Sequence, residues 1–101
     1  MASRLDLQTH LEEILGSRNV YYQPPESIKL KYPCIIYNLA DIDELKADNT
    51  SYIENRSYQA ILIDHDPDSD LVTPLLHMTG CRFERAYAAD GLNHFVFTIY
   101  Y

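Results

Sequence analysis

The sequence predicts an α+β fold: a mostly antiparallel sheet of four to five strands, flanked by two helices and closed by a C-terminal β-hairpin. Three observations carry this expectation. An apolar stripe of helical period opens the chain near residues 4–15. Apolar runs of strand character recur at 31–39, 54–64 and 81–101. Between the last two, Asp66-Pro67-Asp68-Ser69-Asp70 has the chemistry of a helix start. With 101 residues the chain forms one domain, 1–101, with room for a modest core.

Ser3 is placed to cap the first helix, with Asp6 at the third position in a weak capping box. Leu7, Leu11, Ile14 and Leu15 fall on one face, Gln8, Glu12 and Glu13 on the other, and Gly16 ends the helix in the left-handed conformation. Asn19 to Gln23 reads as a short strand stopped by Pro24-Pro25. Lys31 to Leu39 is the first strong strand. It sets Ile35 and Tyr37 on one face and Cys34 and Ile36 on the other, so both faces require cover. Residues 41–52 show neither period and are expected to be an irregular loop.

Glu54 to Asp64 is the second long strand, with Gln59, Ile61 and Ile63 opposite Tyr58, Ala60 and Leu62. A second helix is expected from Asp66 as N-cap and Pro67 as first helical residue, burying Leu71, Leu75 and Met78 and ending at Gly80. Pro74 in its interior predicts a kink or a split at Thr73. In the closing hairpin, a three-residue Ala89-Asp90-Gly91 loop pairs Phe83 with Phe97 and Cys81 with Ile99, leaving Arg85 opposite Phe95. A two-residue Asp90-Gly91 turn would instead set Glu84 against Phe97.

Composition narrows function. A net charge of −7 opposes a grip on nucleic acid, which needs clustered Lys and Arg. No run of 18 apolar residues suits a membrane span, and the start of the chain lacks a signal-peptide core, so folding in the cytoplasm is expected. Cys34 and Cys81 sit in apolar strands as free thiols without metal-ligand spacing.

The chain shows no Gly-x-Ser-x-Gly elbow and no phosphate loop, so no enzyme activity and no cofactor are expected. Asp64-His65-Asp66, with Asp68, Asp70 and His77 nearby, is the one cluster suggestive of metal or acid–base chemistry, but capping accounts for its aspartates. Tyr37, Tyr58, Tyr87 and Tyr100 fall on strands, where aromatic residues form sheet readily and also suit protein interfaces.

The order helix, strands, irregular loop, long strand, helix and closing hairpin resembles the tail terminator proteins of long-tailed bacteriophages. The text that carries the resemblance is Lys31-Tyr32-Pro33-Cys34-Ile35-Ile36-Tyr37, Tyr58 to Asp64, Asp66-Pro67-Asp68-Ser69, and Asp90-Gly91-Leu92-Asn93-His94-Phe95-Val96-Phe97. The resemblance implies a homohexameric ring that caps the tail tube, ends its polymerisation and receives the head connector or stopper. DNA passes through the lumen without specific binding. It further implies location in the virion tail or neck, after assembly in the host cytoplasm, and no catalytic residues.

The loop residues Asp41, Asp43, Glu44, Lys46, Asp48 and Asn49 are then expected to face the lumen or the adjacent ring, mobile in the monomer and repelling the DNA backbone. Tyr58, Tyr100 and Tyr101 are expected at the subunit interface. Two other neck roles, stopper and head completion, fit the same pattern. Two competing classes are a small acidic inhibitor or immunity-type protein that masks a basic partner, and a metal-dependent hydrolase built on Asp64, His65 and Asp66.

Overall fold

The helical stripe becomes α1, Arg4–Leu15, with Leu7 and Leu11 fully buried and Ile14 packed beside them. The computed structural model describes residues 4–46 and 52–101, so the expected cap Ser3 lies outside it. Gly16 closes the helix at φ 77°, its N–H donating to the Glu12 carbonyl at 2.9 Å. The strands are β1 (Val20–Tyr22), β2 (Cys34–Lys46), β3 (Tyr52–Asp64), β4 (Cys81–Ala89) and β5 (Leu92–Tyr100), with the short α2 (Val72–Leu76) before the final hairpin.

They form one five-stranded sheet in the order β1-β2-β3-β5-β4. The sheet is mixed: β1 runs parallel to β2, whereas the β2–β3, β3–β5 and β4–β5 pairs are antiparallel. The parallel pair follows from the segment 23–33, which carries the chain back across the sheet instead of turning it tightly.

Both helices pack on one face. There Leu7, Leu11 and Leu75 meet Ile35, Tyr37, Tyr58, Ala60, Leu62, Phe97 and Ile99. Tyr37 is central to this layer. Its hydroxyl donates to Gln8 Oε1 and accepts from Arg4 Nη1 at 3.1 Å, so a fully buried ring carries a satisfied polar tip. Gln8 also donates to the Val20 carbonyl at 2.9 Å, and the Arg4 guanidinium lies 4.3 Å from the Tyr22 ring centre. Cys34, Ile63 and Val96 are buried on the opposite face, which carries no helix. That face is partly roofed by segment 23–30.

Three expectations are corrected. Residues 41–46 and 52 are strand, not irregular loop: after a bulge between Leu39 and Asp41 the ladder continues to Lys46↔Tyr52. Backbone pairing with a partner strand holds this stretch, and a partner is what a reading of side-chain period along one strand cannot see.

The second helix starts at Val72, not Asp66, and ends at Leu76, short of Gly80. Asp66 and Ser69 instead close local turns, accepting from Asp68 N at 2.9 Å and Leu71 N at 3.3 Å. The late start removes the conflict at Pro74. With Leu71 as N-cap the proline falls in the first turn, where backbone N–H groups have no helical partner, so neither kink nor split is required. Leu71, Leu75 and Met78 still face the core.

The hairpin turns on two residues, Asp90 and Gly91, both at positive φ (54° and 74°). Phe83↔Phe97 and Cys81↔Ile99 pair as expected, because a bulge between Phe83 and Arg85 absorbs the extra residue. Arg85 therefore lies opposite Val96 and Ala86 opposite Phe95.

Gly80 is confined by its surroundings as well as its backbone. At φ 81°, a Cβ there would sit 2.3 Å from the Tyr100 carbonyl oxygen, whereas Gly16 has open space around it. Gly80→Ala is expected to cost about 3 kcal/mol and Gly16→Ala about 1 kcal/mol, read as shifts in urea midpoint at constant m. Equal costs would mean that the clash at Gly80 relaxes away. Tyr37→Phe is expected to lose about 1–2 kcal/mol, because it strips Gln8 and Arg4 of a shared partner. A neutral result in the same assay would show that the bridge adds nothing to the packing of the ring.

Candidate functional site

The features that remain after the core is assembled are an arm, an edge and a groove. The arm is the outer part of the β2–β3 hairpin. Gln23 prolongs the β1–β2 ladder by one step, donating its N–H to the Tyr37 carbonyl and accepting from Leu39 N through its side chain. Pro24 and Pro25, which lack N–H groups, end it. On the other flank, Tyr101 N–H donates to the Arg56 carbonyl as the last rung between β3 and the C-terminal strand.

Beyond these points the β2–β3 pairs from Asp43↔Asn55 to Lys46↔Tyr52 have no third strand beside them among the described residues. The molecule is accordingly elongated, 53 × 28 × 23 Å. Its radius of gyration is 14.9 Å, against about 13 Å for a compact domain of this length. The arm sequence carries Asp41, Asp43, Glu44, Asp48 and Glu54 against Lys46 and Arg56.

The expected loop residues thus divide. Asp41 is exposed on β2, and Asp43, Glu44 and Lys46 lie farther along the same strand, paired through their backbones with Asn55, Glu54 and Tyr52. Asp48 and Asn49 lie outside the described residues. The expected interface tyrosines divide as well. Tyr58 is only 3% exposed and packs in the core against Tyr22 and Tyr37, so its ring is core and not surface. Its alternation with Ser57 and Gln59 places it on the helix side, where a large ring is buried. Tyr100 is exposed, whereas Tyr101 is half-buried against the core and edge-on to His10.

The edge is β4. Its outer side pairs with no strand among the described residues, and every residue after Cys81 is exposed, Phe83 and Tyr87 included. Arg82 and Arg85 flank the bulge, and Glu84 is engaged by Thr98 Oγ1 at 2.6 Å. Tyr87 stacks on His94 with ring centres 4.6 Å apart. Turn chemistry and apolar matching predict this hairpin but not the exposure of its outer strand. The available signal was Arg82-Phe83-Glu84-Arg85, charges placed in an apolar strand as edge strands carry them.

The groove, about 450 Å³, lies between Pro24, Pro25, Ile28 and Leu30 of the crossing segment and Ile36 and Ile61 of the sheet. It too was missed, because the proline pair reads only as a stop.

The Asp64-His65-Asp66 cluster is tied into local structure. Asp64 Oδ1 accepts from Asp66 N at 3.3 Å, the His65 ring meets Tyr32 edge-on, and Asn93 Nδ2 donates to the His65 carbonyl at 3.1 Å. His77 lines a separate cleft with His10. Among the described residues no three His, Cys, Asp or Glu side chains gather as a metal site. Cys34 and Cys81 are free, and burial pushes both thiols up to about 11. Burial also raises the Tyr37 phenol, an effect that its hydrogen bond with Arg4 opposes. Comparison with protein-family models, curated proteins and solved structures found no match.

The raised thiols predict a sign for alkaline stability. The unfolded chain deprotonates near its ordinary value of 9.0 and the folded one near 11, so the contribution is complete below pH 9 and lost as pH rises through that window. Urea midpoints are expected to fall between pH 9 and 11, and less so for Cys81→Ala measured relative to its own value at pH 8. A midpoint flat across this range would contradict the assignment.

Proposed function

We propose that this chain is a structural subunit of a bacteriophage neck, a ring protein of the tail-terminator kind that caps the tail tube and joins it to the head connector or stopper. The single observation that carries the reading is the β2–β3 arm, which leaves the sheet paired only with itself. An isolated two-stranded ribbon is marginal in water, so an arm kept outside the core makes sense as a contact element for another chain.

The exposed β4 edge supports the same reading from the opposite end of the sheet, because a ring needs two unlike patches on each subunit. Six-fold closure comes from the family resemblance. An excess of acidic residues on the arm suits a surface that DNA passes without sticking. Among the described residues no helix is long and apolar enough to cross a membrane. The stopper role uses the same ring geometry and differs in which neighbouring ring the subunit contacts.

Concentrated protein, alone and mixed with tail tubes, is expected to show six-fold rings by negative-stain microscopy, with rings at one tube end. A protein monomeric at every concentration and absent from tubes would leave the acidic inhibitor as the better reading. Replacing residues 43–55 with Asn-Gly, which keeps the Ile42↔Arg56 pairing, is expected to change unfolding free energy by no more than about 1 kcal/mol, because the arm adds little to the core, yet to abolish tail joining. Retained joining in a complementation assay would remove the arm from the function.

A further inference from the structure

We infer that the arm of one copy pairs along β4 of the next, so that sheet edge joins sheet edge head to tail around the assembly. This deepens the ring reading above and rests on it. Both elements hold unsatisfied pairing capacity: β4 on its outer side, and the arm portion of β2 on the side that β1 leaves after Tyr37. Within one copy β2 and β4 run in opposite directions, as the three successive antiparallel pairs between them require. Neighbours related by rotation about an axis along the strands keep those directions, so the new pair is antiparallel. The strand tilt and stagger of a closed ring supply the offset along the strands.

The face of each residue agrees with such a pairing. Ile42 pairs with Arg56 and Phe83 with Phe97, which puts both exposed apolar side chains on the helix side of the sheet. Asp41 pairs with Ser57, and Arg82 and Arg85 with Thr98 and Val96, which puts these charges on the other side. An arm laid on β4 with the two sheets facing the same way therefore sets apolar beside apolar and acid beside base. The arm sequence is acidic, and β4 carries Arg82 and Arg85 with its one acid, Glu84, engaged by Thr98. The outer half of β4, from Ala86 to Ala89, has small side chains except for Tyr87, which lies flat on His94. A second backbone can approach it closely. The bulge and charges at 82–85 discourage indiscriminate pairing and leave a charge-matched strand as the favoured occupant.

A charge-swap experiment tests the pairing. Two variants are prepared, Arg82→Glu/Arg85→Glu and Asp41→Lys/Asp43→Lys, each verified as folded by circular dichroism. Each alone carries like charges on both surfaces, and self-association by sedimentation velocity is expected to weaken at least tenfold against wild type. Their equimolar mixture presents opposite charges at every junction and is expected to regain wild-type assembly. Wild-type rings with both variants assembling normally would overturn this surface and leave the ring reading standing. Loss in both variants without rescue on mixing would also overturn it, as would weakening confined to the arginine variant, which marks a two-fold β4–β4 contact. A wild-type protein that never assembles would sink the ring reading and this inference together.

Discussion

Everything in this molecule is hung on β3. It lies at the middle of the five-strand order, with β2 on one side and β5 on the other, and Leu62 and Ile63 are buried on its two opposite faces. Its register fixes which residues of β2 and β5 face the helices. A slip of one position would turn Tyr58, Ala60 and Leu62 away from the core and bring Gln59 into it. The helix layer is then located by Tyr37, whose buried hydroxyl binds Arg4 and Gln8 of α1 together above the β1–β2 pair.

This arrangement separates a packed base from an extension of the β2–β3 ladder. The base contains both helices, β1, β5 and the inner halves of β2 and β3, with the buried apolar residues among those described. The extension continues the β2–β3 ladder from Asp43↔Asn55 to Lys46↔Tyr52. On the proposed reading, changes in the arm act on association, and a two-stranded ribbon outside the base can diversify with little cost to the scaffold.

The same economy shapes the edges. β1 is short and ends at a proline pair, which leaves the arm side of β2 open; β4 is long, exposed and marked by a bulge and two arginines. A domain with one acidic projection and one basic-flanked strand edge has the two unlike surfaces that head-to-tail association requires. The groove beneath Ile28 and Leu30 lies on the helix-free face, apart from the helix layer.

The sequence by itself determined the elements whose period, caps and turns are local. α1 with its Leu7–Leu11–Leu15 stripe, the alternating faces of β2 and β3, the left-handed Gly16 and Gly91 and the Phe83–Phe97 pair were all legible, because turn chemistry is local and burial of one face imposes its period on the residues. Tertiary structure alone decided what depends on a partner strand or on competition between local bonds. Residues 41–46 are strand because β3 pairs with them, although their own side chains follow no period. Asp66 closes a turn instead of capping a helix because its carboxylate reaches Asp68 N first, and helix start and Pro74 become compatible only when the start moves to Val72. The two-residue turn and the apolar register coexist through a bulge at Glu84, an extra residue that no alternation pattern announces. The candidate surfaces were half visible: their charges stand in the sequence, but the burial of Tyr58 and the exposure of β4 follow from strand order, which is a property of the whole sheet.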